Sequence, residues 1–278
     1  EQLVEARTRD LGQKAMELEA ANVRLLELDQ MKTSFLTSVS HELRTPLTSI
    51  LGFAKLVAKD FTRHFQGLVP EGTRLAKRGQ RILDNLDIIG QEGERLTRLI
   101  NDLLDLAKIE SGKVDWRDER IAPELLVTRA VRAVSGQLIH KPEVQLTVEV
   151  APALPALMVD PDRMTQVLIN LLHNAIKFTS RGQVRLEARM PRPGVLQLRV
   201  EDTGQGIHLV DLERIFDKFH QVAGRDTRVA KPAGTGLGLA ICRQIVEHYK
   251  GAIWAESAWG QGSAFIVELP VQDLDVAA

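Results

Sequence analysis

The sequence predicts a multidomain protein of mixed α and α+β class, in which long helices precede a two-layer α/β sandwich. Two observations lead to this prediction. Apolar residues recur at spacings of three and four up to about Gly112, and short alternating segments mixed with helices replace that pattern from Val114 onward. The 278 residues are enough for about two domains, and 44% of them are hydrophobic, so a sizeable core can form.

The chain is predicted to begin with one long helix, residues 1–64, whose first part, residues 1–30, forms a coiled coil. The apolar heptad repeat consists of Val4, Leu11, Leu18 and Leu25. Asn22 occupies the alternate seam position, where a polar residue sets the register of a coil. Heptad leucines with charged flanks favour a dimeric coil over a single amphipathic helix.

The phase of this repeat shifts after Leu25. Leu28 and Phe35 keep the seven-residue spacing but are offset by three residues from the earlier repeat. Such a discontinuity changes the local winding of a coil. We therefore expect the upstream coil to act as a lever on the segment that follows.

Residues 31–112 are predicted to fold as a helical hairpin. The turn lies between Phe65 and Gly72, and the second amphipathic helix runs to about Glu110, with Gly112 as its stop. Two antiparallel amphipathic helices cannot bury both apolar seams alone. A four-helix bundle in a homodimer is therefore expected.

A charged linker is predicted over residues 113–120, and an α/β domain over residues 121–271. Helices are predicted at 123–139, 164–178 and 236–250, and strands at 145–150, 183–190, 195–201, 252–257 and 264–269. The tail, residues 272–278, is expected to fray.

Composition excludes several functions. A formal net charge of -1 gives no general attraction to nucleic acid or to an anionic membrane, so no nucleic-acid partner is expected. Cys242 is the only cysteine, which rules out an intrachain disulfide, and its apolar neighbours predict a small buried residue. No apolar run is long enough for a membrane span in this fragment.

The chain begins with Glu1 rather than methionine, and we interpret it as a fragment of a longer protein. The lack of a span therefore says nothing about the parent protein. We expect a cytoplasmic location, which includes the cytoplasmic part of a membrane-anchored receptor.

The segment from Ser38 to Leu47 contains the clearest candidate for chemistry. His41 is predicted on a helix beside Glu42, and Thr45, four residues on, shares its face. A neutral imidazole is a competent nucleophile near physiological pH, and Glu42 could take or orient its second proton. A surface helix that happens to carry a histidine is the alternative.

The neighbours of His41 predict its exposure. Val39 and Leu43 each lie two residues away, which is roughly 200° around a helix. If they face a core, His41 faces solvent. Pro46 removes a backbone donor and is expected to bend or loosen the helix just beyond this site.

A helix near the middle of the α/β domain carries polar residues on one face: Asn170, Asn174 and Lys177, followed by Phe178. Two amides supply neutral oxygen ligands, which suit a Mg²⁺ ion that keeps its waters and bridges phosphates, and Lys177 can balance phosphate charge. Hydrogen bonding of the asparagines to a neighbouring loop is the alternative.

Asp202 directly follows a predicted strand and opens a glycine-containing segment that ends at Ile207. Its carboxylate could accept a hydrogen bond from an exocyclic amine, while Gly204 and Gly206 let the backbone approach a flat base. Taken alone, this segment could also be a simple turn.

A further glycine cluster is predicted to open a helix, and it consists of Gly234, Thr235, Gly236, Leu237 and Gly238. Amides at a helix start suit phosphate, although the spacing is neither that of a P-loop nor that of a dinucleotide-binding turn. Residues 220–233 before it have a cationic, glycine-containing composition, which predicts a mobile lid or a solvated loop.

Together these segments resemble the catalytic core of a bacterial sensor histidine kinase, over about residues 28–270 and in the order of that family's motifs. The corresponding boxes are Ser40–Pro46, Asn170–Lys177, Asp202–Ile207, Phe216–Phe219, Gly234–Gly238 and Gly260–Ser263. One departure is Pro232-Ala233, where family members often carry another glycine, and we expect it to stiffen the hinge of the lid.

The resemblance implies a dimerisation and histidine-phosphotransfer bundle joined to a Bergerat-type ATP-binding domain. It implies that His41 takes the γ-phosphoryl group of ATP and passes it to an aspartate on the receiver domain of a response regulator. By this analogy Asn174 is the main Mg²⁺ ligand, Asn170 supports it, and Asp202 reads adenine. The other implied ATP-binding residues are Lys177, Phe178, Gly204, Gly206, Ile207, Phe219, Gly234, Thr235, Gly236, Leu237, Gly238 and Ser263.

The same resemblance implies a sensor domain upstream in the parent chain and a phosphatase activity on the regulator, in which Thr45 would orient a water. Two alternatives stay open at this point. A Bergerat ATPase of the chaperone, gyrase or mismatch-repair type would share the nucleotide boxes but would have no use for His41. A catalytically silent dimeric scaffold would not need His41, Asn174 and Asp202 intact.

Overall fold

The computed structural model of the chain describes residues 2–68, 72–221 and 235–271. The chain divides into two compact units, Glu1–Lys113 and Val114–Ala278. The first unit is helical and the second combines helices with a mixed sheet, which confirms the predicted fold class.

Two long helices make up the first unit. Helix α1 (Gln2–His64) continues through Pro46, because one missing donor removes only one bond of the ladder, and a short 3₁₀ turn (Gln66–Leu68) follows it. Helix α2 (Arg74–Glu110) begins at Thr73, whose side-chain oxygen accepts a backbone hydrogen bond at 3.1 Å. Among the described residues, no helix is both long and apolar enough to cross a membrane.

The two helices pack through a narrow seam. On α1 the buried side chains nearest to the predicted reactive segment are Ser40, Leu47 and Ala54, at intervals of seven residues. At Gly93 in α2, an added Cβ would lie 2.5 Å from Cδ2 of Leu51, so the helices approach too closely there for a larger residue.

Leu43 lies outside this seam, with 45% of its surface exposed, whereas Val39 is half-buried. Within one hairpin, Leu43 therefore does not face the core, and the condition stated for Val39 and Leu43 is met only in part. The reason is geometric: α2 covers the strip that contains Ser40 and Leu47, and Leu43 lies about 60° around the helix from Ser40.

The described residues of the second unit form eleven elements in chain order. They are β1 (Glu119–Ile121), α3 (Pro123–Ile139), β2 (Val144–Val150), β3 (Leu157–Val159), α4 (Pro161–Phe178), β4 (Gly182–Arg192), β5 (Val195–Asp202), α5 (Leu209–Leu212), α6 (Gly238–His248), β6 (Ala252–Ala258) and β7 (Gly262–Pro270).

The segment predicted as a linker belongs to this unit instead. Strand β1 pairs antiparallel with β3, and neither strand was predicted. Just before β1, the ring of Trp116 stacks on His248 with the ring centroids 3.7 Å apart. The charged composition of this segment reflects its exposed side chains, while Ile121 is buried.

The main sheet has five strands in the order β2-β4-β5-β7-β6. Only the β2–β4 pair is parallel, which fits the predicted largely antiparallel sandwich. Alternate side chains of β4, Val184 and Leu186, are fully buried, whereas Arg185 between them pairs with Glu149 on β2. Helices α3, α4 and α6 contact the sheet and one another, so the core lies between the two layers.

Candidate functional site

Helix α4 positions the predicted amide residues. It starts three residues earlier than predicted, because Asp160 caps it by accepting hydrogen bonds from the backbone N–H groups of Asp162 and Arg163 at 3.0 and 3.1 Å. Asn170 and Asn174 are both half-buried, one turn apart, beside the apolar face that anchors the helix. This face consists of Val167, Leu168, Leu171, Leu172, Ala175 and Ile176.

The amide of Asn170 links α4 to the start of α6. Its Nδ2 donates to the carbonyl oxygen of Gly238 at 3.4 Å and to Sγ of Cys242 at 3.7 Å. A carbonyl can only accept, so the NH₂ group must face α6, and Oδ1 is the amide atom left to bind a metal or a donor. The predicted alternative, a bond from this asparagine to a neighbouring segment, is therefore also present. Cys242 is fully buried, as predicted.

Lys177 and Phe178 occupy the last turn of α4. The ammonium of Lys177 lies 4.5 Å from the centroid of the Phe178 ring, which is a cation–π distance. Both residues are exposed. A cation and an aromatic ring are thus available at this end of the helix.

Asp202 ends strand β5 and is almost completely buried. Its Oδ1 accepts a hydrogen bond from the N–H of Gly204 at 2.8 Å, and the backbone N–H of Ser263 also donates to the carboxylate. Burial raises the pKa of Asp202, and the two backbone hydrogen bonds only partly oppose that rise. A buried carboxylate of this kind can accept a further hydrogen bond from a ligand.

The glycines after Asp202 are required by close packing. A Cβ on Gly204 would lie 2.5 Å from the carbonyl oxygen of Phe178, and one on Gly206 would lie 2.1 Å from that of Ala258. Gly206 also has a φ of +73°, which disfavours other residues. The backbone of this turn therefore lies flat against both α4 and the β6–β7 hairpin.

A pair of serines fastens the end of this turn. The N–H of Ile207 donates to Oγ of Ser257 at 2.8 Å, and that oxygen lies 3.0 Å from Oγ of Ser263. Ser263 was predicted as a site residue, but Ser257 was not. The only signal for Ser257 is its pairing with Ser263 across β6 and β7, which requires the register of the two strands.

The predicted glycine cluster before α6 packs on the segment that contains Phe219. The N–H of Phe219 donates to the carbonyl oxygen of Gly236 at 2.9 Å, and the Phe219 side chain is exposed. Thr235 accepts a hydrogen bond from the N–H of Leu237 through its hydroxyl. Leu237 is fully buried, so a contact from it to a ligand would use its backbone.

Helix α6 is shorter than predicted, because Gly236 has a φ of +72° and the helix starts only at Gly238. Gly234 and the predicted cationic loop, residues 222–233, lie outside the described residues.

In the first unit, the backbone at His41 is helical, and its side chain lies outside the described part of the structure. Its neighbours Glu42 and Thr45 are exposed, while Ser40 is buried against the hairpin. The predicted reactive segment therefore presents Glu42 and Thr45 to solvent.

Across residues 2–68, 72–221 and 235–271, no cluster of three or more His, Cys, Asp and Glu side chains could hold a metal ion. The amide oxygens of Asn170 and Asn174 are neutral oxygen donors that a cation in this region could use. Since two amides are a weak ligand set for Mg²⁺ alone, phosphate oxygens would have to complete its coordination.

The site therefore joins segments that are far apart in sequence. Gly238 contacts Asn170, Gly204 contacts Phe178, and Gly236 contacts Phe219. Helix α4 thus contacts the start of α6 through Asn170 and the turn after Asp202 through Phe178. This combination suits an anionic ligand with a base that carries an exocyclic amine.

Two protein-family models match the chain. The first unit matches the His Kinase A (phospho-acceptor) domain over residues 31–112. The second unit matches the family described as histidine kinase-, DNA gyrase B-, and HSP90-like ATPase over residues 159–273.

Similar proteins align with most of this chain, across both units. Sensor protein TorS of Escherichia coli (strain K12) is 36% identical over 272 residues, which are 97% of this chain and 27% of TorS. Full-length ShkA in complex with AMPPNP is similar in structure, with a TM-score of 0.64 and 28% identity over 85% of this chain and 45% of ShkA. Histidine kinase ThkA in complex with the response regulator protein TrrA shares the fold, with a TM-score of 0.56 and 22% identity over 88% of this chain and 65% of ThkA. The chain spans about a quarter to two fifths of the length of the curated relatives it matches.

Proposed function

This chain belongs to the sensor histidine kinases and carries their catalytic core, and from that premise we propose that it phosphorylates His41 with ATP and passes the phosphoryl group to a response regulator. The observation that carries the proposal is that α4 contacts both Gly238 and the turn after Asp202, in one unit of a chain whose other unit matches a phospho-acceptor domain. That second domain has no role in an ATPase of the chaperone or gyrase type, so the kinase is the better explanation.

The nucleotide would be held by the second unit. Asp202 would accept a hydrogen bond from the exocyclic amine of adenine, while the turn of Gly204 and Gly206 would lie against the base. Asn174, supported by Asn170, would hold Mg²⁺, which when bound neutralises charge on the phosphates. ShkA, with which this chain shares 28% identity, was crystallised with AMPPNP, which supports ATP as the substrate.

The chemical step is a phosphoryl transfer to nitrogen. A nitrogen of His41 attacks the γ-phosphorus, the bond from that phosphorus to the bridging oxygen breaks, and ADP leaves. Glu42, which is exposed beside His41, accepts the second ring proton or orients it. Lys177 and the backbone amides at the start of α6 stabilise the negative charge of the phosphates.

The proposed partner is the receiver domain of a response regulator, whose aspartate takes the phosphoryl group from His41. The structure of ThkA contains such a regulator, TrrA, and ThkA shares the fold of this chain. Thr45, exposed one turn after His41, is positioned in sequence to orient a water when the regulator is dephosphorylated. We propose that the same surface serves both the phosphoryl transfer to the regulator and the hydrolysis of the phosphorylated regulator by water.

The hairpin supports a homodimer. A single chain leaves an apolar stripe uncovered on each helix, with exposed fractions between 44% and 61%. On α1 it consists of Leu43, Ile50 and Val57, and on α2 of Leu75, Ile82, Ile89 and Leu96. Both stripes have the seven-residue spacing of a helix-bundle seam. A second copy of the hairpin would cover them in a four-helix bundle.

We further propose that a sensor domain precedes the coil in the parent protein and that the catalytic core works in the cytoplasm. The support is the limited share of its relatives that the chain spans.

Covalent labelling tests the proposal. With γ-labelled ATP and Mg²⁺, the wild-type chain should become labelled, and the label should resist base and be lost in acid, as a phosphoramidate is. His41→Gln should abolish labelling and leave ATP affinity within about twofold of wild type, a change of less than about 0.5 kcal/mol. The matched control is His64→Gln, since His64 is exposed in the last turn of the same helix. Labelling of the His41 variant at the wild-type level would refute the phosphoacceptor.

A further inference from the structure

Lys141, a residue with no assigned role so far, fastens the end of helix α4. It follows α3, and its half-buried side chain reaches three backbone carbonyl oxygens. The ammonium donates to the carbonyl oxygens of Ile176, Lys177 and Thr179 at 2.7, 3.0 and 3.1 Å. The last carbonyls of a helix have no partner within the helix, and an ammonium has three donors for them. A cation there also interacts favourably with the helix dipole.

The carbonyl group of Phe178 lies between those of Lys177 and Thr179 in the chain, and it faces the proposed nucleotide site. Gly204 packs against the carbonyl of Phe178 so closely that a Cβ would lie 2.5 Å from its oxygen. The N–H of Gly204 in turn donates to Oδ1 of Asp202 at 2.8 Å. The order of contacts is therefore Lys141, the end of α4, Gly204 and Asp202. A shift at the end of α4 would be passed to the carboxylate that is proposed to read adenine.

A second polar side chain hydrogen-bonds to the last turn of the helix. Thr179, directly after α4, is fully buried, and its hydroxyl donates to the carbonyl oxygen of Ala175 at 2.8 Å. That bond satisfies a carbonyl one turn back and leaves those of Ile176 and Lys177 to Lys141. Removal of the ammonium would leave these oxygens to water and allow the last turn to fray.

We propose that Lys141 is a positioning residue for nucleotide binding. It holds the carbonyls at the end of α4 so that the Phe178 carbonyl and Gly204 keep Asp202 in place. It acts through the backbone and touches no nucleotide itself. The inference rests on the proposed nucleotide site and deepens it, because it assigns the effect to the adenine side rather than to the metal.

The test uses the full chain and measures ADP affinity by calorimetry without Mg²⁺, so that the metal ligands play no part. Lys141→Met keeps the length of the side chain and removes its charge and donors. We expect its ADP affinity to fall by about tenfold, as for the loss of one hydrogen bond to a charged group. Lys141→Arg restores charge and donors and should recover most of the affinity. Lys141→Gln keeps neutral donors and should give an intermediate loss of ADP affinity. This variant replaces Lys141→Met as the test if the methionine variant does not fold.

A control at the opposite end of the same helix distinguishes a positioning role of Lys141 from a purely structural one. Asp160→Ala removes the N-terminal cap of α4 and should lower the melting temperature, since loss of a cap costs about 1 kcal/mol. It should leave ADP affinity unchanged, because Asp160 lies far from the end that Gly204 contacts.

Two outcomes would overturn the inference. One is an ADP affinity of Lys141→Met and Lys141→Gln within about twofold of wild type, a negligible free energy. The other is a loss in Asp160→Ala that matches the loss in the lysine variants at equal destabilisation. If the wild-type chain itself does not bind ADP, the proposed function fails, which is distinct from failure of the role of Lys141.

Discussion

At the scale of single residues, Asp202 combines a functional demand with an energetic cost. Its carboxylate is buried, and burial raises its pKa although two backbone N–H groups donate to it. Ionised Asp202 is the stronger acceptor for a hydrogen bond from the exocyclic amine of a base. Burial in the fold therefore favours the protonated form of Asp202, whereas ligand binding favours the ionised form. Such a conflict is common in binding sites.

This conflict leads to a prediction for Asp202→Asn. The variant should lose at least about tenfold in ADP affinity, because an amide oxygen is a weaker acceptor than a carboxylate. It should also remove the contribution of this carboxyl group to the pH dependence of the free energy of unfolding. A carboxyl group whose pKa is raised on folding stabilises the fold fully below its ordinary pKa of 3.8, and this contribution is lost as the pH rises through the folded pKa.

The measurement is urea unfolding of both proteins from about pH 4 to pH 8. As the pH rises from near 3.8, the free energy of unfolding of wild type should fall relative to that of the variant, and the difference should level off above the folded pKa. A difference that stays constant, or that grows in favour of wild type with rising pH, would contradict the raised pKa.

The chemical types of the site residues could be predicted from the sequence, but not their partners. Amides one turn apart and an aspartate before glycines are local patterns, and from them Asn170 and Asp202 were predicted as site residues. Ser257 and Lys141 have no local pattern. Their roles depend on strand register and on the place where α3 ends, which only the folded chain defines.

At the scale of elements, long helices were predictable because their periodicity extends over many residues. Both helices of the hairpin follow the predicted bounds closely. Strands β1 and β3 have three residues each, too few to show alternation, so they were missed. The charged segment before Ile121 then resembled a linker, although it carries one strand of a pair.

The apolar stripes lead to a prediction at this scale. Ile50→Asp should convert the dimer into a monomer, since an aspartate in a bundle seam would be buried without a partner in both copies, at a cost of about 3 kcal/mol or more for each. Lys59→Asp changes a charge on the same helix at an exposed polar position outside the stripe and should leave the dimer intact. Light scattering gives the mass of each variant. A dimeric Ile50 variant would mean that the hairpins associate through another surface.

At the scale of the whole chain, the proposed reaction requires the phospho-acceptor unit and the nucleotide unit to meet. Their division at Lys113 and Val114 gives the chain two bodies whose encounter can be regulated. Helix α1 is continuous from the coil to the reactive segment, so a rotation imposed at its beginning is carried to the residues around His41. Leu18, a residue of the predicted coil seam, is exposed in a single chain. This exposure is expected of a seam residue that packs against a second chain in a dimer.

The register of this coil relative to the bundle should therefore control the reaction. The heptad repeat that ends at Leu25 meets the offset repeat of Leu28 and Phe35, and such an offset can store two packings of similar energy. One or two residues inserted between Glu5 and Leu18 rotate the upstream seam by roughly 100° or 200°, whereas seven residues restore it. We expect the initial rate of autophosphorylation of the 278-residue chain to change with one or two inserted residues and to return to the wild-type rate with seven. Light scattering of each variant confirms that it is still dimeric. Rates that decline steadily with the length of the insertion, without recovery at seven, would mean that the coil only holds the dimer together.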